Sequence, residues 1–193
     1  MANKDAPFGF QSVTSDAKGS TPKLRRYAIQ AAEATDLFPG DPVILEGTSV
    51  TDKKSGKQIP TVVRATAGSS GYVTGVIVDF IPETDNSPRY KTDAVTQRFV
   101  LVCDDPEQLF EIQADEDIVA ADIGNTADFI FTVAGDTVNG KSGCELDSST
   151  VGTGDQLVIE GISQTPGRNE LGSANTVALV RFNLHQKRNT TGV

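Results

Sequence analysis

No stretch of this chain sustains a 3.6-residue apolar period, whereas short runs rich in β-branched side chains recur along it, each fenced by Gly, Pro, Asp or Asn. A side chain with two heavy atoms on Cβ is restricted in a helix and packs well on a pleated surface. The runs at 24–30, 43–46, 61–65, 72–81, 98–103, 109–113, 129–133, 156–162 and 176–184 are therefore predicted strands. With 18 Gly and 9 Pro as punctuation, they imply an all-β sandwich or barrel-like body. Only 115–122 suits a helical turn, its acids bunched where a helix N-terminus favours them, and Gly124 ends it within about two turns.

Turn chemistry divides the chain further. Phe38-Pro39-Gly40-Asp41 offers Pro with its fixed φ and then Gly for a positive φ, a type II turn that delivers the chain into a strand opened by Pro42. The polar, lysine-rich stretch 51–58 is predicted to be an exposed loop, and 82–96 a longer loop of the kind that often forms a contact surface. Gly40 and Gly75 stand 35 residues apart, and Gly124 and Gly161 stand 37 apart, each followed by similar apolar runs. That spacing admits two pseudo-repeated β lobes, 36–113 and 118–184, although Gly-flanked strands recur in any β protein. The expected organisation is an extended arm over 1–22, a β-rich body over 23–184 and a basic tail over 185–193.

Charge is sorted by position. Residues 1–26 carry five cations against two acids, net +3, and the last thirteen carry three cations and no acid, so the formal total of −9 leaves −15 between them. An acidic body disfavours nucleic acid, because binding phosphates requires clustered Lys and Arg. Basic ends can instead reach over an acidic neighbour, or serve only to keep the termini solvated. The segment 1–21 has too few spaced apolar residues to belong to a core, so its removal is expected to leave the body folded. No window is long and apolar enough to predict a signal peptide or membrane span. Cys103 and Cys144 are expected to be reduced thiols, with one disulfide as the alternative.

Residues suited to chemistry are sparse. His185 is the only histidine and falls in the basic tail, where holding a base against a nucleophile is difficult. Neither cysteine belongs to a CxxC pair, and the acids at 104–105 and 115–117 lack the spacing of a calcium loop. Residues 135–142 match GxxxxGK[ST] literally, but the residues after Ser142 have no helical period, so a Gly-rich β turn is predicted there. No catalytic residue, cofactor or metal ligand set is predicted, and the chain is not expected to be an enzyme.

A resemblance runs through most of the chain. Its residues are Ala2 to Phe10, Leu37 to Val43, Thr74 to Val78, Arg98 to Val102 with Asp104-Asp105-Pro106, Phe110 to Gln113, Gly143 to Ser149, and Val180 to Asn183 with His185-Gln186. In that order they resemble the head decoration, or capsid cement, proteins of tailed bacteriophages. The resemblance implies a virion structural protein, made in the host cytoplasm, that binds the major capsid protein on the outside of the head and bridges capsomers against genome pressure. It implies a trimer or dimer. Phe8, Phe10, Leu24 and Tyr27 would be apolar anchors, Arg25 and Arg26 would pair with shell carboxylates, and Arg188 would also meet the partner. The alternatives are a virion-associated hydrolase or carbohydrate-binding module using acids in 82–96 or 104–117, and a tail or neck structural protein.

Overall fold

The computed structural model describes residues 3–13, 22–68, 71–163 and 169–188, and its elements are strands joined by turns and three single-turn 3-10 segments. The strands are β1 (Gln11–Ser12), β2 (Leu24–Ile29), β3 (Pro42–Thr51), β4 (Gln58–Arg64), β5 (Gly75–Ile81), β6 (Arg98–Cys103), β7 (Phe110–Gln113), β8 (Thr126–Ile130), β9 (Glu145–Asp147), β10 (Leu157–Ile162) and β11 (Val177–Phe182). The fold is all-β. A closed barrel runs β2-β4-β3-β5-β6, and a six-stranded sheet runs β1-β7-β11-β10-β8-β9.

The barrel closes because β3 is bent. Its pairing with β4 shifts register between Leu45 and Ser49, where Gly47 takes φ +82°, and such a bulge increases local twist and turns a strand around a corner. The predicted type II turn delivers the chain into β3: Asp41 N donates to Phe38 O at 3.1 Å, and Gly40 has φ +96°. Tyr27, Ile29, Val43, Val62, Ile77, Phe80, Val100 and Val102 fill the interior. Gly75 lies against β6 so closely that a Cβ would meet the Cys103 carbonyl and the next Cα. Gly75→Ala is therefore expected to cost about 1–3 kcal/mol, read as a lowered denaturant midpoint.

The second core joins the two sheets. Ala65, Val73, Val76 and Cys103 from the barrel side cluster with Phe110, Ile112, Phe129, Leu157, Ile159, Val180 and Phe182 of the other sheet. β6 is buried at nearly every position rather than at alternate ones, because Val100 and Val102 face the barrel interior while on the other face Cys103 joins the shared core and Arg26 covers Phe99. Cys103 and Cys144 are free, buried members of this cluster. Burial pushes the Cys103 thiol up to about 11 and the Cys144 thiol well above its ordinary value, so both behave as small apolar side chains.

The structure corrects several expectations. The arm is not free over its described part: β1 pairs with β7, Gln113 Nε2 donates to Lys4 O at 2.8 Å, and Phe10 is 3% exposed. Its ring contacts Phe110, Phe129 and Phe182, so residue 10 belongs to the core and is not an anchor for a partner. Tyr27 is likewise an internal residue, 3% exposed, because β2 closes the barrel. The chain divides between Cys103 and Phe110, earlier than the predicted halves, since β7 pairs with β11 and β1 rather than with a barrel strand. Strands β3 and β4 extend to Thr51 and Gln58, shortening the predicted 51–58 loop to a hairpin end. The 115–122 segment keeps only a 3-10 turn at Ala120–Asp122.

The tail also departs from expectation through residue 188. His185 bridges to Val73 and is 1% exposed, and Gln186 Oε1 accepts from Leu45 N at 3.0 Å. The last described turn therefore fastens the end of the six-stranded sheet to the barrel. Residues 14–21 and 189–193, which hold much of the predicted arm and tail, lie outside the described residues.

Candidate functional site

Both basic ends of the described chain meet on one acidic turn. β6 ends at Cys103, and Asp104-Asp105-Pro106-Glu107 carries the chain across to β7. Asp104 is 4% exposed and needs partners, because a buried carboxylate without them is costly. It accepts the Tyr27 hydroxyl at 2.7 Å, receives the Lys187 ammonium, and has Arg25 Nε at 3.6 Å. Burial, reinforced by the Asp104 hydrogen bond, holds the Tyr27 phenol well above its ordinary range. Lys23 stands 3.8 Å from Asp105. Glu107 pairs with Arg188 and, at 3.1 Å, with Arg181, which holds its carboxyl below the usual range.

The positive ends thus neutralise acids of their own body. Lys23 and Arg25 remain 79% and 68% exposed at the side chain, so each keeps most of its surface in water while its charged head lies near an acid of the turn. Leu24, 43% exposed, lies between them in sequence but, by the alternation of a strand, on the opposite face of β2 from Arg25. Of the residues predicted to meet a partner, Arg25 and Arg188 come together at this turn. Phe8 is half-buried beside Pro39, Gly40, Val78 and Lys141 on another face. Arg26 points elsewhere: its Nη1 donates to Asp52 at 2.8 Å, and its guanidinium lies 4.0 Å over the Phe99 ring. Asp104, Glu107 and Lys187 were not predicted as contributors to a docking face, although their sequence carries the signal, an acid cluster with basic ends to match it.

A second feature is a cleft of about 520 Å³ at the barrel, between the β3–β4 hairpin and the 82–97 loop. The long loop is pinned rather than free. Lys91 is 1% exposed, its Nζ donates to Glu33 O at 2.8 Å and to Asp93 O, and Leu37 and Lys91 form a β-bridge.

The groups best suited to proton transfer are enclosed. Burial raises Asp41 to about 6, yet it is 2% exposed, with Oδ1 accepting from Ser142 Oγ at 2.5 Å and Oδ2 from Phe38 N at 2.8 Å. The GxxxxGK[ST] match accordingly forms a turn. Asp136 pairs with Lys141, and Ser142 Oγ also accepts from Cys144 N at 3.0 Å, so its hydroxyl is committed to the fold. Gly135 packs where a Cβ would strike the Phe38 ring. No helix follows to point amides at a phosphate. His185 is held down to about 4, chiefly by burial and then by Lys187 and Arg188. Its Nδ1 accepts from Lys187 N at 3.1 Å. Among the described residues no cluster of His, Cys, Asp and Glu could hold a metal ion, and no helix is long and apolar enough to cross a membrane.

Comparison with known proteins found no matching family model, curated protein or solved structure.

Proposed function

We propose that this chain is a structural subunit of a phage head that binds the outer surface of the major capsid protein, with the face around Lys23, Arg25 and Arg188 as its shell contact. The observation that carries the reading is the convergence of both basic ends on the 104–107 turn. Asp104, Asp105 and Glu107 already draw these cations to one turn, so their charge is gathered on one face before docking. Lys23 and Arg25 stay largely exposed beside the acids they pair with, so they can also meet carboxylates of the shell. Enclosure of Asp41 and His185 supports a binding role over proton-transfer chemistry, since neither reaches a surface where substrate could bind. Repetition over many sites on a shell makes a modest contact sufficient.

The test is decoration of phage heads that lack the subunit, with bound copies counted by gel densitometry and microscopy. The full chain should saturate a symmetric set of sites. Lys23→Glu combined with Arg25→Glu should raise the concentration for half-occupancy by about tenfold or more, with weaker binding as salt rises. Failure of the full chain to bind shells overturns the function. Unaltered binding by the double variant removes this face from it.

A further inference from the structure

We propose that copies of this chain associate head to tail, the lysine-lipped cleft of one barrel taking the acidic, apolar 116–123 turn of the next. The cleft is built to receive rather than to close. Ile81, Pro82 and Phe99 line it, Arg26 stacks on Phe99, and Val95 stands at its edge 82% exposed. A large apolar side chain so open beside an apolar-lined cleft gains by being covered.

The lip is rigid and positively charged. Asp52 organises it, accepting from Lys54 N at 3.1 Å, Ser55 Oγ at 2.6 Å and Arg26 Nη1 at 2.8 Å, while Gly56 turns the chain at φ +67°. Lys53, Lys54 and Lys57 are all exposed and, among the described residues, none has an ion pair. By contrast Lys23, Arg25, Arg26, Arg181, Lys187 and Arg188 are paired within the molecule. Asp52 and Glu83 are the acids of the cleft lining, and Asp52 is matched by Arg26. On a chain of net −9, the hairpin end is thus a local positive site, three lysines against Glu83 as the one acid of the lining not already matched.

The complementary surface lies on the other sheet, in the turn from β7 to β8. Glu116 and Asp117 are exposed there, followed by Val119 at 40% and Ile123 at 44%. Leu171, 42% exposed, joins them, because Gly172 N donates to Ile118 O at 2.8 Å and holds the 170–175 turn alongside. The Asp122 carboxylate accepts from Val119 N at 2.8 Å, which keeps this turn in one shape. An acid pair followed by exposed apolar residues matches lysines that border an apolar cleft. Since the two surfaces are different patches of one chain, the contact repeats from copy to copy and either closes a ring or extends a chain.

The experiment is made on the full chain without shells, so it stands apart from capsid binding. Light scattering should show mass rising with concentration across the micromolar range, less so at high salt. Lys53→Glu/Lys54→Glu/Lys57→Glu and, separately, Glu116→Lys/Asp117→Lys should each weaken self-association by about tenfold or more, with unchanged circular dichroism. Mixing the two variants should restore association, because each retains the surface the other has lost and the two reversed surfaces match one another. A wild-type chain that stays monomeric, variants that associate as wild type does, or a mixture that stays apart would each overturn the proposal.

Discussion

Phe10→Ala is expected to destabilise the protein by about 3–5 kcal/mol, the range for removing a buried aromatic ring whose site does not collapse. Phe10 meets Phe182 at 5.0 Å between ring centroids and stands edge-on to Phe110 and Phe129 at 6.0 Å. Its backbone N donates to Gly40 O at 2.9 Å, so the same residue ties the N-terminal segment to the turn that enters the barrel. With β1 only two residues long, the ring is the main apolar hold of that segment on the body. Urea unfolding should show the midpoint falling with little change in slope, and melting should drop by roughly 10 °C. Phe8→Ala, at a half-buried position, should cost far less. A loss below about 1 kcal/mol for Phe10 would mean that the segment is not part of the core. The same argument reverses the expectation that 1–21 can be deleted harmlessly: without Phe10 the shared core is left open.

What the sequence discloses and what it hides follow from the range of the forces involved. Strand β6 is read at its observed bounds, and β2, β7, β10 and β11 to within two residues at either end, because a fenced run of β-branched residues is a local signal. Strands β1 and β9, Gln11–Ser12 and Glu145–Asp147, carry no such run and exist because a partner strand is positioned beside them. Phe10 is hidden for a related reason, since a single aromatic in a polar segment has no periodicity to reveal which face it buries. The charge sorting is plain in the sequence, but Coulomb attraction does not say whose acids the basic ends will meet. Arg25 and Arg188 find Asp104 and Glu107 of the same body, and Arg26 finds Asp52. The exposed lysines near residue 55 are the part of the candidate surfaces most legible in advance, because they lie in a short polar hairpin end.

Two buried titrating groups should oppose one another in the pH dependence of stability. Asp41 has its folded value raised to about 6 from 3.8, so between those values the folded state holds a proton that the unfolded state has lost. Its contribution is therefore present at low pH and is lost as pH rises toward 6 and above, by about 3 kcal/mol for a shift of roughly two units. Arg64 favours the Asp41 anion, while Asp36 and the loss of water around the carboxylate oppose it. His185 runs the other way. Its folded value of about 4 against 6.5 means that the unfolded state binds the extra proton, so stability rises with pH over that interval by a comparable amount. Lys187 and Arg188 disfavour the imidazolium, and Asp104 and Asp105 only partly offset them. Between about pH 4 and 6 the two slopes nearly cancel in the wild type. Substitution should uncouple them. Relative to wild type, Asp41→Asn should gain about 3 kcal/mol on going from pH 4 to pH 7, and His185→Asn should lose a similar amount over the same interval. Denaturant titrations at several pH values give both differences, and referring each to wild type removes the carboxylates common to both proteins. A flat difference curve for Asp41→Asn would mean that its carboxyl is not desolvated as the fold requires. A flat curve for His185→Asn would mean that the imidazole reaches water, and that residues 185–188 do not stay seated on the barrel.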